Sequence, residues 1–201
     1  MRRATGSKSV SATKKVSIQL ALDGHSFSVS GLPASGDGPL DAEVLTPRTL
    51  LVPAALYRDE EAGMLLAAAG MPAEADDAIV RSDERDAVVA VMAAGREAID
   101  AVRACAPVGV RFTTPLLEPI DGDVPTVRCR LAAGIAYIKV WNETLRMAEA
   151  IPAASEEDML CLFERLGGAF ALREYRLCLA GDEARRLRRV LKNRFKETVC
   201  E

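Results

Sequence analysis

Histidine is almost absent from this chain, which carries one, His25, in 201 residues. No acid or nucleophile can be assigned to it, so it reads as a residue at the rim of a sheet with an ordinary hydrogen bond, not as a general base. A lone histidine also argues against zinc. The five cysteines (Cys105, Cys129, Cys161, Cys178 and Cys200) are scattered and form no Cys-x-x-Cys pair. Free thiols in a reducing cytoplasm fit that spacing. No apolar run approaches the ~20 residues of a membrane span. The opening "MRRATGSKSVSATKK" is polar and basic, without the apolar centre of a signal peptide. A cytoplasmic location without membrane attachment is therefore expected. The net charge of -3 gives no whole-molecule argument for nucleic acid. "GSKS" lacks the order and the earlier glycine of a phosphate loop, and "EADD", "SDERD" and "DGD" lack the ligand spacing of a calcium loop.

What is present is a globular composition, with 49% hydrophobic and 27% charged residues. The length fits one domain or two small lobes. In "SIQLALDGHSFSVS" two alternating runs meet at Asp23-Gly24. A two-residue turn there pairs Leu22 with His25, Leu20 with Phe27 and Ile18 with Val29, all on one face. A Gly/Pro-rich loop, "GLPASGDGPLD", is expected to follow and to be mobile, then "EVLTPRTLLVP" as one extended segment, an edge or bulged strand because of Pro47. "RDEEAGMLLAAAGMP" reads as a helix capped by Asp59 and stopped by Gly70. Two strands about an Asp-Glu-Arg turn, a short helix "GREAIDAVRAC" and a strand "VGVRF" complete the first half.

The second half repeats this grammar. "TVRCRLAAGIAYIKVW" is a hairpin turning at Ala133-Gly134, with Val127, Cys129 and Leu131 opposite Val140, Ile138 and Ala136 on one apolar face. A third strand, "ETLRMAEAI", precedes a helix with a capping box at Ser155 and Asp158. A strand ends at Gly181, and "DEARRLRRVLKNRFK" is a helix capped by Asp182, with Ala184, Leu187, Val190, Leu191 and Phe195 facing inward. Cys129, Cys161 and Cys178 fall in packed elements and are expected to react slowly; Cys200, near a fraying end, is expected to react first. The order in each half is hairpin, third strand, helix, strand, helix. It predicts an α/β protein of two related lobes, each a β-meander feeding a parallel strand through crossover helices. The expected divisions are a polar tail over 1–14, a first lobe over 15–114 and a second over 115–201.

This order resembles the duplicated ribonuclease-H-like lobes of the actin, sugar-kinase and heat-shock-chaperone superfamily. The segments "VSIQLALDGHSFSV", "TLLVPAALY" and the tail from "PAASEEDMLCLFERLGG" onward are similar to a bacterial family known as a domain of unknown function with an actin-like fold. The resemblance implies phosphate-loop positions at Asp23 and Gly24 and at Ala133 and Gly134, and an adenosine-side glycine at Gly181. ATP and magnesium would be the cofactors if that site is retained. Three departures stand against retention: both turns are short, Ala133 replaces the second aspartate, and one glycine stands where a pair is expected. Asp23-Gly24 also has a plain structural reason, since both residues of such a turn need positive φ.

The leading expectation is a binding or scaffold protein, a pseudo-ATPase without bound cofactor, whose partner is another protein or a second copy. An ATP-dependent phosphotransferase or ATPase is the alternative. A third reading is a nucleic-acid-binding module using Arg185, Arg188, Arg189 and Lys192 of the last helix. Against it stand the absence of an aromatic stacking platform and the ordinary preference of cations for helix C-termini.

Overall fold

The computed structural model describes residues 39–106, 108–120, 122–153, 155–181 and 183–201, together with the backbone of 15–20 and 27–29. Twelve strands and four α-helices lie among them. A five-stranded sheet is formed by β8 (Thr126–Ala132), β9 (Ile135–Asn142), β10 (Thr144–Pro152), β11 (Arg176–Gly181) and β12 (Glu197–Cys200), in the order β10-β9-β8-β11-β12. The first three strands form an antiparallel meander, and β11 and β12 run parallel to β8. The Ala133-Gly134 turn has φ of 53° and 68°, the paired positive values of a tight hairpin. Its register is the expected one: Val127 faces Val140, Cys129 faces Ile138 and Leu131 faces Ala136.

The apolar face of this hairpin is covered by α3 (Glu156–Ala169) and α4 (Ala184–Leu191). On α3, Met159, Leu162, Phe163 and Leu166 recur at helical spacing and are all buried. Ser155 accepts from the Asp158 amide, and Asp158 accepts from the Ser155 amide, so the capping box forms as expected. Burying one large aliphatic side chain contributes about 1.5–3 kcal/mol, which makes this face the main hold of helix on sheet.

The first half contributes two sheets. In one, β1 (Lys15–Leu20) lies between β2 (Phe27–Val29) and β3 (Leu40–Leu45), and β7 (Val110–Thr113) follows β3. Ile18 pairs with Val29 and Leu20 with Phe27, as the alternating pattern predicts. The turn itself, with Asp23, Gly24 and His25, lies outside the described residues. The other sheet has three antiparallel strands, β4 (Thr49–Pro53), β6 (Val88–Gly95) and β5 (Asp77–Arg81), in that order. Its central strand β6 is buried on both faces and reads as a continuous apolar run. One face packs on β3 and α2 (Arg96–Ala104), the other on α1 (Ala62–Ala68).

Several expectations need correction. "EVLTPRTLLVP" is not one strand: it breaks at Thr46–Arg48, where the Thr46 hydroxyl donates to the Ala93 carbonyl and accepts from the Arg48 amide. β3 is an interior strand, parallel to β1 and β7, so among the described residues the first half shows no three-stranded antiparallel meander around β1. Asp59 does not cap α1. It lies in a 3-10 turn, Asp59–Glu61, and its carboxylate accepts from Tyr57 and pairs with Arg81. Gly70 does end α1, at φ 77°, with the Met71 amide donating back to the Leu66 carbonyl. The last helix ends at Leu191 instead of running through Lys196, and β12 follows it. Val190 is exposed on α4, while Ala184, Leu187, Leu191 and Phe195 are buried. Asp182 lies outside the described residues, and Glu183 occupies the N-cap.

The thiols are also redistributed. Cys129 and Cys178 are buried, Cys200 is half-buried in β12, and Cys105 and Cys161 are exposed. Cys161 falls off the buried stripe of α3. Burial pushes the Cys129 thiol up to about 12, so little thiolate forms there at neutral pH. In native protein a thiol reagent followed by peptide mass spectrometry should therefore mark Cys105 and Cys161 first and Cys129 last. Early loss of Cys129 would contradict this packing.

Candidate functional site

In β8 the side chains alternate, so Arg128, Arg130 and Ala132 lie opposite the apolar face. In β9 the matching set is Ile135, Tyr137 and Lys139, which places Arg128 directly across from Lys139. Like charges opposed on a sheet repel, so an acidic partner from outside the hairpin is required. β3 and the segment after β7 supply it. Arg130 grips the Glu43 carboxylate with two parallel bonds of 2.8 Å and also reaches Glu118 Oε1. Arg128 donates to the other Glu118 oxygen at 2.9 Å and to Glu201 Oε1 at 3.0 Å. The Lys139 ammonium donates to the Glu118 carbonyl at 2.5 Å.

Burial lowers the proton affinity of Arg130, but its bonds to Glu43 and Glu118 outweigh that and hold its pKa above the ordinary value. Burial first, and the Arg128 charge second, bring Lys139 down to about 8. Lysine in the unfolded chain titrates near 10.5. Between these values the unfolded chain binds a proton that the folded chain lacks, so this group makes stability rise with pH from about 8 to 10.5. Below that window both forms are charged and the burial cost is fully present. The stability of the wild type relative to Lys139→Met should therefore increase across the window in urea unfolding. Contributions common to both proteins, such as that of Cys129, cancel in the difference. A gap independent of pH would contradict the assignment.

Beside these ion pairs the two sheets meet through apolar side chains. Leu45 at the end of β3, Leu116 of the 3-10 turn Pro115–Leu117, and Ala132, Ile135 and Tyr137 form one buried cluster, and Ala133 packs against it. Burial, then the Glu43 charge, push the Tyr137 phenol well above its usual range.

Of the nucleotide positions expected from sequence, the Ala133-Gly134 turn lies beside this cluster. Ala133 borders it, Gly134 is exposed, and the Gly134 carbonyl accepts from the Ala153 amide. Gly181 ends β11 opposite Leu131, with φ of 80°, and a Cβ there would lie 2.0 Å from the Leu131 carbonyl oxygen. Strand pairing alone thus demands glycine at 181. Asp23 and Gly24 lie outside the described residues. Among the described residues, no group of three or more His, Cys, Asp or Glu side chains is arranged to hold a metal ion, and no helix is long and apolar enough to cross a membrane.

The basic positions expected on the last helix do converge. Arg185, Arg188, Arg189 and Lys192 line one groove of about 770 Å³, joined by Lys196 and by β12. The Glu43–Arg130 and Glu118–Arg128 bridges were missed from sequence. The available signal was the pair of arginines on the non-apolar face of a hairpin with lysine opposite.

No family model matches this sequence, and no curated protein matches it significantly. Among solved structures, the chain is similar to a Bacteroides thetaiotaomicron protein described as having an actin-like ATPase fold and unknown function. That match has a TM-score of 0.69 at 13% identity and covers 94% of this chain and 91% of that one. A more distant likeness is to the cytoplasmic domain of EpsL, an inner-membrane component of the type II secretion system of Vibrio cholerae. It has a TM-score of 0.43 at 12% identity and covers 83% of this chain and 81% of that one. With strand order, register and this overlap together, the chain has the actin-like ATPase fold.

Proposed function

We propose that this chain is a binding or scaffold protein of the actin-like fold, a pseudo-ATPase in which protein side chains take the place of the nucleotide beside the Ala133-Gly134 turn. The observation that carries this reading is the buried cluster of Leu45, Leu116, Ile135 and Tyr137, with the Glu43–Arg130 bridge beside it. In open α/β sheets a ligand sits beyond the carboxyl ends of the parallel strands. Here Leu45 at the carboxyl end of β3 and Ala132 at that of β8 belong to the cluster. A phosphate site needs several inward amide groups, and a metal needs a carboxylate. Ala133 offers no carboxylate, and φ and strand contact account for Gly181.

The reading includes duplication, with lobes over 15–114 and 115–201. The orders β2-β1-β3-β7 and β9-β8-β11-β12 support it, since each is an antiparallel hairpin followed by two parallel strands. The three-stranded sheet would then be an insertion in the first lobe. The partner would be another protein or a second copy, in the cytoplasm.

Thermal unfolding with and without magnesium-ATP tests the reading, because a ligand that binds the native state raises the midpoint. No shift and no phosphate release are expected. A shift abolished by Asp23→Ala would instead favour an ATPase or phosphotransferase.

A further inference from the structure

We propose that the groove between α4 and the open edge of β12 binds an extended acidic peptide as an added strand. This goes beyond the scaffold reading and does not depend on it. The cations around α4 divide into two sets. Arg186 pairs with Glu156 and Glu183, and Arg194 pairs with Glu164. Arg185, Arg188, Arg189, Lys192 and Lys196 instead line one groove, and among the described residues no carboxylate lies within 4 Å of their charged nitrogens. Five cations in a groove with only Glu197 for balance make a site of positive potential that attracts an anionic partner.

The other wall identifies the partner's shape. β12 is the last strand of its sheet, and among the described residues no strand pairs with its far side. Such an edge offers backbone amides and carbonyls to an incoming extended chain. Thr198 of β12 also lines the groove. It is 8% exposed, and its hydroxyl is buried with no hydrogen-bond partner among the described residues. A buried polar group of that kind costs free energy until something satisfies it. No Phe, Tyr or Trp lines the groove, so it lacks the stacking surface that single-stranded nucleic acid uses. The strand edge and the lack of a stacking surface together favour peptide over nucleic acid.

Fluorescence anisotropy on the full chain tests this with three labelled probes. They are an alternating glutamate-valine octapeptide, the same peptide with two valines replaced by proline, and a short oligothymidylate of equal charge. The alternating peptide should bind tightest, and proline should weaken it by about tenfold because it cannot complete the ladder. Reversing Arg185 and Arg188 to Glu should also cost about tenfold. Reversing Arg165 and Arg173, which are exposed and outside the groove, changes net charge equally and should leave binding unchanged. Thr198→Val keeps the charge and should weaken the peptide by about threefold while folding normally. Equal binding of the proline peptide, tighter binding of the oligothymidylate, or no peptide binding would each overturn the proposal.

Discussion

Replacing Gly181 with alanine should lower stability by about 4 kcal/mol or more, among the largest effects of any single methyl group in this chain. Two costs combine. The backbone at 181 has φ of 80°, where a side chain costs about 1–2 kcal/mol. The added carbon would also stand 2.0 Å from the Leu131 oxygen and 3.0 Å from its carbonyl carbon. Both neighbours are backbone, so no side chain can swing aside, and β11 must part from β8 at its end. Gly168 is the control: it lies in α3, where an added Cβ would meet nothing within 4 Å, so alanine there should add up to about 1 kcal/mol by helix propensity. Urea unfolding without nucleotide decides the matter. If Gly181→Ala unfolds like the wild type, strand contact does not explain the glycine, and a role in nucleotide binding returns.

The second large effect belongs to Arg130. Truncating it to alanine removes both prongs from a Glu43 carboxylate that is only 5% exposed, and also removes one hold on Glu118. Breaking a buried pair from one side costs about 3–5 kcal/mol, because the remaining charge stays desolvated. Replacing the pair together, Glu43→Leu with Arg130→Met, should recover most of that loss, since an apolar pair needs no desolvation. A double variant no more stable than Arg130→Ala would place the cost in lost packing or in Glu118.

The features legible in the sequence are those written in neighbouring residues. The period of two in 127–140 specified the register of β8 on β9, and Ser155 with Asp158 specified the start of α3. Gly70 specified the end of α1. What could not be read was decided by distant parts of the chain. Pro47 suggested an edge strand, and β4 after it is one, yet β3 before it lies between β1 and β7, because both of its partners come from elsewhere in the sequence. The four residues of β12 carry too short a pattern to be seen after a basic helix, and they become a strand only because β11 offers a parallel edge. At the candidate site, the missing carboxylate at Ala133 was legible, whereas the cluster beside it was not. Leu45, Leu116 and Tyr137 come from three separated segments, and no local pattern announces that they meet.

The strand order also sets a timetable for folding. Within the meander, Ala132 pairs with Ile135, three residues away, whereas Leu40 of β3 pairs with Val110, a separation of 110 − 40 = 70 residues. Closing a long loop costs entropy before any contact rewards it, and nonlocal pairing is correspondingly slow. The whole three-stranded sheet lies within that loop, so its β5–β6 hairpin can form first, and β4 pairing on β6 then shortens the effective span. The β8–β9–β10 meander should accordingly gain amide protection early in refolding and the β3–β7 ladder late. Pulse-labelled hydrogen exchange showing both ladders protected in one phase would mean that the chain assembles as a single cooperative unit.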